Sequence, residues 1–120
     1  MVAHGARAAG WDAPFQVVLA KLVQDSVEQQ GERQFRLAFL EHKLPNVGMV
    51  VSELVAIGCT HITLVPMLLG VGMHAREDLP RLMAEAQTAH PTTAFRMTET
   101  LGENAAMLDA LAGFVQAKAP

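Results

Sequence analysis

The sequence contains five histidines, which offer chemistry that no other side chain provides near neutral pH. Imidazole exchanges protons close to pH 7 and is the commonest metal-binding side chain. His4 and His74 each come directly after an apolar run, and Glu41 follows another. These three residues predict a metal site or a proton-transfer site, provided that the fold brings them to one place. We expect His61 and His90 to be solvated or helix-end histidines.

Other catalytic patterns are missing from the sequence. There is no G-x-S-x-G nucleophile elbow and no P-loop, so we expect neither serine acyl transfer nor ATP-driven chemistry. The single cysteine, Cys59, comes just after a predicted helix end. We expect it to be a small buried apolar residue.

Four short apolar runs are typical of β-strands, and these strands must position the histidines. The third run is apolar almost throughout, which predicts a strand covered on both faces. The predicted strands are Val2–Ala3, Phe35–Leu40, Ile62–Pro66 and Thr93–Thr98.

Helical patterns fill the segments between and after the strands. The first has apolar residues at helical spacing and ends near Gly31, and the second begins with Asn46 as its N-cap and ends at Gly58. We expect Asp78 to cap the third helix, which places Pro80 in its first turn, where a missing N–H costs little. The last helix is marked by Met107, Leu108, Leu111, Phe114 and Val115.

The order β-α-β-α-β-α-β-α predicts an α/β fold with an open, parallel, four-stranded sheet and helices on both faces. The chain, residues 1–120, is expected to form one domain. Ligands of such sheets bind beyond the carboxyl ends of the strands. The segments at that edge are His4–Arg7, Glu41–Lys43, Met67–Asp78 and Glu99–Gly102.

This edge brings together the residues with chemical potential. His4 and His74, taken as a pair, look like metal ligands. Glu41 could accept a proton or join the metal shell, and it is equally well explained as a solvated charge at a strand end. The chemistry of this protein should therefore be sought at the carboxyl edge.

Composition and charge exclude several function classes. The chain has 9 Lys and Arg against 12 Asp and Glu, a net charge of −3, which argues against a general nucleic-acid binder. Its longest apolar run has ten residues, whereas a membrane span needs about 20. No signal-peptide pattern opens the sequence, and a single cysteine suits a reducing compartment, so we expect a cytoplasmic protein.

One nucleotide-binding motif is present. Gly70–Ala75 fits G-x-G-x-x-A between a strand and a helix. It follows the third strand instead of the first, and a helix that begins at Asp78 starts too late for a tight phosphate turn. His74 also occupies the place where a pyrophosphate would approach. A nucleotide-binding domain is kept as a distant alternative.

Several motifs together resemble a known family. The opening Val2-Ala3-His4-Gly5-Ala6-Arg7 is similar to V-A-H-G-[SA]-R, and Leu37–Glu41 looks like a second-strand motif. Val65–Gly70 followed by Gly72–His74 and Asp78–Pro80 resembles V-P-x-F-L-x-x-G-x-H-x-x-x-D-[IL]-P. These are the motifs of the small sirohydrochlorin cobaltochelatases, and the resemblance extends over essentially the whole chain.

The resemblance implies an enzyme that inserts Co²⁺, or else Fe²⁺ or Ni²⁺, into sirohydrochlorin, with no cofactor beyond that metal substrate. It implies that His4 and His74 are metal-binding and catalytic and that Glu41 is an acidic residue of the same crevice. The substrate carries many carboxylates, which makes Arg7 and Arg76 candidate substrate-binding residues. The alternative is a metal or tetrapyrrole carrier with the same ligands and no turnover.

The resemblance also implies half of a two-lobed chelatase fold. One domain of this size offers an open crevice edge and would leave one side of a tetrapyrrole exposed. We therefore expect a symmetric homodimer whose two edges face each other, the commonest type of oligomer.

Overall fold

The alternation of strands and helices that the sequence predicts is present in the structure, a computed structural model that describes all 120 residues. A 3₁₀ turn, Leu101–Glu103, lies between the last strand and the last helix. The strands are β1 Val2–Ala3, β2 Ala38–Phe39, β3 His61–Leu64 and β4 Ala94–Met97. The helices are α1 Ala13–Glu28, α2 Val47–Ala56, α3 Met73–Ala89 and α4 Ala105–Gln116.

The strands pair in parallel, but as two two-stranded sheets. β1 pairs with β2, β3 pairs with β4, and a single bridge between Val2 and Pro66 links the two pairs. At this bridge the Val2 N–H donates to the Val65 carbonyl at 2.9 Å and the Met67 N–H donates to the Val2 carbonyl at 2.7 Å. The prediction of one four-stranded sheet is thus confirmed in its parallel α/β character and not in its continuity, since β1 has only two residues to share between its neighbours.

The third strand is not covered on both faces, contrary to the prediction. Ile62 and Leu64 are buried, whereas His61 and Thr63 are exposed. Strand residues alternate between faces, so one face of β3 packs on a helix layer and the other is open.

Helices α2 and α3 pack on one face of the strands and form the main core. The side chain of Asn46 accepts a hydrogen bond from the Met49 N–H at 2.9 Å, which confirms the predicted cap of α2. Helix α1 packs on the other face through Phe15 and Leu19, and Trp11 lies just before the helix. All three side chains pack against the cluster that contains the buried ring of Phe39.

Helix α3 begins six residues earlier than predicted. Its N-cap is Gly72, and both Asp78 and Pro80 lie inside the helix. The Gly72 backbone is extended, with φ −78° and ψ 173°, and this cap uses no side chain. The correction places His74 in the first turn of a helix and removes one of the three objections to the nucleotide motif. The motif still follows the third strand. A Cβ at Gly70 or Gly72 would meet open space, so packing within the chain does not require glycine at either position.

Helix α4 does not cover the sheet. It packs against the 3₁₀ turn and against no other element to a comparable extent, and none of its residues is buried. The molecule measures 54 × 39 × 30 Å as a result. The prediction of helices on both faces therefore holds for α1, α2 and α3 only. None of the helices combines the length and the apolar character that crossing a membrane requires.

Candidate functional site

The ends of β1 and β2 form the first half of the site. The Leu40 N–H donates to the Ala3 carbonyl at 2.9 Å, and the Glu41 N–H donates to the His4 carbonyl at 3.0 Å. Gly5 is buried with φ +92°, and a Cβ there would collide with the carbonyl of Glu41. Only glycine allows this approach. The sequence Ala3-His4-Gly5 thus fixes the backbone of His4 directly beside that of Glu41.

The segment after β3 forms the second half. It pairs with β1 at Pro66 and then runs to His74 at the start of α3. The Leu101 N–H donates to the Pro66 carbonyl and the Gly102 N–H to the Leu68 carbonyl, each at 3.0 Å. These two segments of the chain approach so closely that a Cβ at Gly102 would collide with the carbonyl of Leu69. The edge segments therefore hold one another through backbone contacts.

The three candidate catalytic side chains differ in exposure. His4 is half-buried, His74 is exposed, and the side chain of Glu41 is 60% exposed with an oxygen 3.6 Å from the Nε2 of His42. No group of three or more His, Cys, Asp or Glu side chains is arranged to hold a metal ion. The backbone segments that lead to His4 and His74 are thus adjacent. The side chains of one copy do not enclose a metal ion.

Arg7 and Arg76 are exposed and form no ion pair within the chain. By contrast, Arg36, Lys43 and Arg81 are each paired with a carboxylate at 2.8 Å. The guanidinium groups of the two arginines proposed from the sequence are therefore available to an external anion.

Asp12 belongs to this edge and was missed by the sequence analysis. Its carboxylate accepts hydrogen bonds from Gln16 at 2.9 Å and from Lys43 at 2.8 Å. These bonds, that from Gln16 first, hold the pKa of Asp12 below its usual value of 3.8. Asp12 stands at the start of α1 before Pro14, a position that indicates a helix cap, yet its side chain makes no cap hydrogen bond. Its link to Lys43 anchors the segment that follows β2.

Of the two main concavities of the molecule, only the smaller lies at this edge. It has a volume of about 380 Å³ and is lined by residues 39–44 and Asn46. The larger, about 1050 Å³, includes Val18 and Leu22 of α1 and Thr63 of β3, and neither His4 nor His74 lines it. The site is an open surface, as the size of the chain led us to expect.

The remaining candidates lie away from the site. His61 is exposed and its ring contacts the Thr60 hydroxyl at 3.0 Å, and His90 is the C-cap of α3, as expected. Cys59 is half-buried against the main core and not fully buried.

Comparison with known proteins decides the family. The CbiX family profile matches residues 1–117, nearly the whole chain. The chain belongs to the CbiX family. A relative from Saccharolobus islandicus, named sirohydrochlorin cobaltochelatase, is 31% identical over 86 residues, which cover 69% of this chain and 60% of the relative. The matches cover between 35% and 60% of the length of the curated relatives, so these relatives extend well beyond the part that aligns with this chain.

Solved structures of CbiX-like proteins share the fold. A structure described as a CbiX protein of cobalamin (vitamin B12) biosynthesis from Marinobacter aquaeolei VT8 is 27% identical, with a TM-score of 0.77, and the match covers 98% of this chain and 92% of that one. The sirohydrochlorin chelatase SirB from Bacillus subtilis subspecies spizizenii, in complex with cobalt, matches with 24% identity and a TM-score of 0.73. That match covers 98% of this chain and 49% of SirB, so this chain has the size of half of SirB.

Proposed function

We propose that this protein inserts a divalent metal ion into sirohydrochlorin, with Co²⁺ as the metal, His4 and His74 as its ligands, and no ATP. The observation that supports this most is the Val2–Pro66 bridge, which sets the segments leading to His4 and His74 side by side in a chain of the CbiX family. Both histidines follow strand segments at their carboxyl ends, where parallel sheets bind ligands.

Two histidines suit a metal ion that must be handed on. Neutral imidazoles bind divalent ions and leave coordination positions open to the ring nitrogens. A site closed by three or more protein ligands, or by thiolates, would oppose release, and this chain forms no such cluster. The metal is a substrate and needs only transient ligands.

Insertion also requires removal of two pyrrole N–H protons. Imidazole accepts protons near neutral pH, so His4 or His74 can act as the base once it has released the metal ion to the ring nitrogens. Glu41 is hydrogen-bonded through its backbone to His4 and has a largely exposed carboxylate, which gives the site a third proton acceptor. We assign Glu41 this role.

The carboxylates of the substrate require cationic partners. Arg7 lies three residues after His4 and Arg76 two residues after His74, and neither is engaged in an ion pair. We assign both to the substrate carboxylates, where a guanidinium can form two parallel hydrogen bonds.

The test mixes the purified protein with sirohydrochlorin and Co²⁺ without ATP and follows the absorption change of the ring. We expect acceleration over the protein-free control, and a loss of at least about 100-fold in His74→Ala, the scale of an acid–base group. His61→Ala is the matched control, because His61 is exposed and lies at the other end of β3. A rate equal to the protein-free control would leave only a carrier.

The metal preference is tested in the same assay. Co²⁺, Fe²⁺ and Ni²⁺ are run in parallel at equal free concentration, because affinity rises in the order Fe²⁺, Co²⁺, Ni²⁺ for sites of this type and cannot by itself select cobalt. We expect the highest rate with Co²⁺. A higher rate with either other ion would overturn the choice of metal and leave the reaction class in place.

A further inference from the structure

His42 has a backbone conformation that residues other than glycine rarely adopt. Its φ is +62°, in the left-handed region, where the Cβ is crowded by a backbone carbonyl oxygen. Across it, the Lys43 N–H donates to the Glu41 carbonyl at 2.8 Å. A hydrogen bond from residue i+2 to residue i, with a positive φ between them, is a γ-turn of the rare and strained kind. The chain therefore turns sharply at His42, directly after the segment that pairs with β1.

The turn brings together two side chains that a strand would keep apart. Neighbouring residues of a strand point to opposite faces, so Glu41 and His42 could not meet if the strand continued. In the structure the Nε2 of His42 lies 3.6 Å from a carboxylate oxygen of Glu41, and this is the only ion pair in which His42 takes part. Both residues line the smaller concavity. The contact thus results from the turn and lies at the carboxyl edge.

Contacts on both sides hold the turn in place. Before it, the Glu41 N–H donates to the His4 carbonyl at 3.0 Å, and Gly5 approaches the Glu41 carbonyl so closely that no Cβ would fit. After it, the Nζ of Lys43 lies 2.8 Å from the carboxylate of Asp12. The surrounding structure therefore imposes the conformation of the central residue of the turn.

Stability does not account for this arrangement. The side chain of His42 is 45% exposed and that of Glu41 60%, and pairs between exposed groups contribute little to folding. The left-handed backbone conformation costs stability. Strained conformations that the fold imposes cluster at functional sites, where the strain serves to preorganise a group. The group that this turn positions is the carboxylate of Glu41.

We propose that His42 is a positioning residue whose ring N–H donates to the Glu41 carboxylate and holds it toward the tetrapyrrole. This inference rests on the function proposed above, in which Glu41 accepts a pyrrole proton. At 3.6 Å the contact is about 0.8 Å longer than a charge-assisted hydrogen bond, and hydrogen bonds of this kind are often long before the substrate binds. One carboxylate oxygen is held by His42, and the other is left to take the proton.

The first test separates the ring from the backbone strain. His42→Gly removes the ring and suits a positive φ, so Tm should stay equal or rise. We expect kcat for Co²⁺ insertion to fall about tenfold, because the carboxylate is no longer held, while KM for sirohydrochlorin changes less than about twofold. His42→Gln, whose amide nitrogen reaches about as far as Nε2, should stay within about threefold of the wild-type kcat. An unchanged kcat in His42→Gly, or a loss that His42→Gln shares in full, would overturn the proposal.

A double-mutant cycle shows whether His42 acts through Glu41. In a Glu41→Gln chain, the further change His42→Gly should alter kcat less than about twofold, because no carboxylate is left to position. The full tenfold loss in this background would overturn the proposal, since the effect of His42 would then not depend on Glu41.

A spectroscopic test needs neither metal nor tetrapyrrole, so its outcome is independent of the chelatase assay. The side-chain carboxyl carbon of Glu41 is followed by ¹³C NMR and is identified as the signal that Glu41→Gln removes. We expect this signal to shift clearly in His42→Gly and by a smaller amount in His42→Gln, which keeps a donor. An unmoved signal in His42→Gly would overturn the inference even in an active enzyme. A shifted signal, with wild-type turnover no faster than the protein-free control, would overturn the proposed function alone.

Discussion

At the scale of single residues, the carboxylate of Asp12 stabilises the site, because its ion pair with Lys43 anchors the segment that follows β2. Asp12→Asn removes its charge while keeping its shape, so the ion pair with Lys43 is lost. We expect a lower Tm at pH 7. Glu53→Gln is the matched control, since it removes a carboxylate from an exposed pair with Arg36 and such pairs contribute little. Equal shifts in Tm for the two variants would contradict the role given to Asp12.

The pH dependence of the same variant follows from the depressed pKa of Asp12. A carboxyl group with a lower pKa in the folded state stabilises that state above its unfolded pKa, near 3.8, and the contribution is lost as the pH falls through the folded value. The Tm difference between wild type and Asp12→Asn should therefore be constant above about pH 5 and shrink below 3.8. Thermal melts from pH 2.5 to 7 measure it; a difference that grows on acidification would refute the assignment.

At the scale of elements, the contact between the ends of β1 and β2 depends on Gly5. Gly5→Ala combines a positive φ, which costs about 1–2 kcal/mol, with a collision at the Glu41 carbonyl, which adds about 1–3 kcal/mol. Gly10 has φ +77° and open space around it, so Gly10→Ala measures the backbone cost alone. Urea unfolding of both variants should show a clearly larger loss for Gly5→Ala. Equal losses would mean that the two strand ends do not meet as described.

The sequence predicted the elements whose signals are local. Asn46 is a side-chain cap and its helix begins where expected, with Val47, Val50 and Val51 buried. The start of α3 was misplaced because Gly72 caps it through backbone conformation alone, while Asp78 and Pro80 imitate a helix start. Signals carried by a side chain can be recognised in a sequence, whereas a cap without one cannot.

The sequence could not show which surfaces pack together. The apolar residues of α4 have the spacing of a core helix, and the spacing is the same whether the core lies in its own chain or in a second one. The candidate site residues could be proposed from the sequence, because the carboxyl edge of a parallel sheet follows from element order, and their roles stay predictions. Asp12 was missed because its pairing with Lys43 depends on a contact between residues 31 positions apart.

At the scale of the whole molecule, one copy has little core for its length. Only 20 of 120 residues are buried, and the radius of gyration is 15.5 Å. A compact domain of this length has a radius of about 14 Å. Much of the apolar surface that would stabilise one copy is thus on α1 and α4, where a second copy can bury it.

Stability should consequently depend on protein concentration. A dimer that buries α4 is stabilised by mass action, so we expect Tm to rise by several degrees when the concentration is raised about 100-fold. Calorimetry at the two concentrations measures it, with Leu111→Glu as the comparison, since that variant should show a smaller rise. A Tm independent of concentration would contradict the homodimer expected from the sequence.

The proposed function requires that His4 and His74 hold the same metal ion. The most direct measurement is the rate of Co²⁺ insertion into sirohydrochlorin for His4→Ala, His74→Ala and the double variant. The effects of residues that act as a unit are strongly non-additive, so we expect the double variant to be no more than about threefold slower than the slower single variant. Losses that multiply, as for two independent groups, would contradict a shared ion.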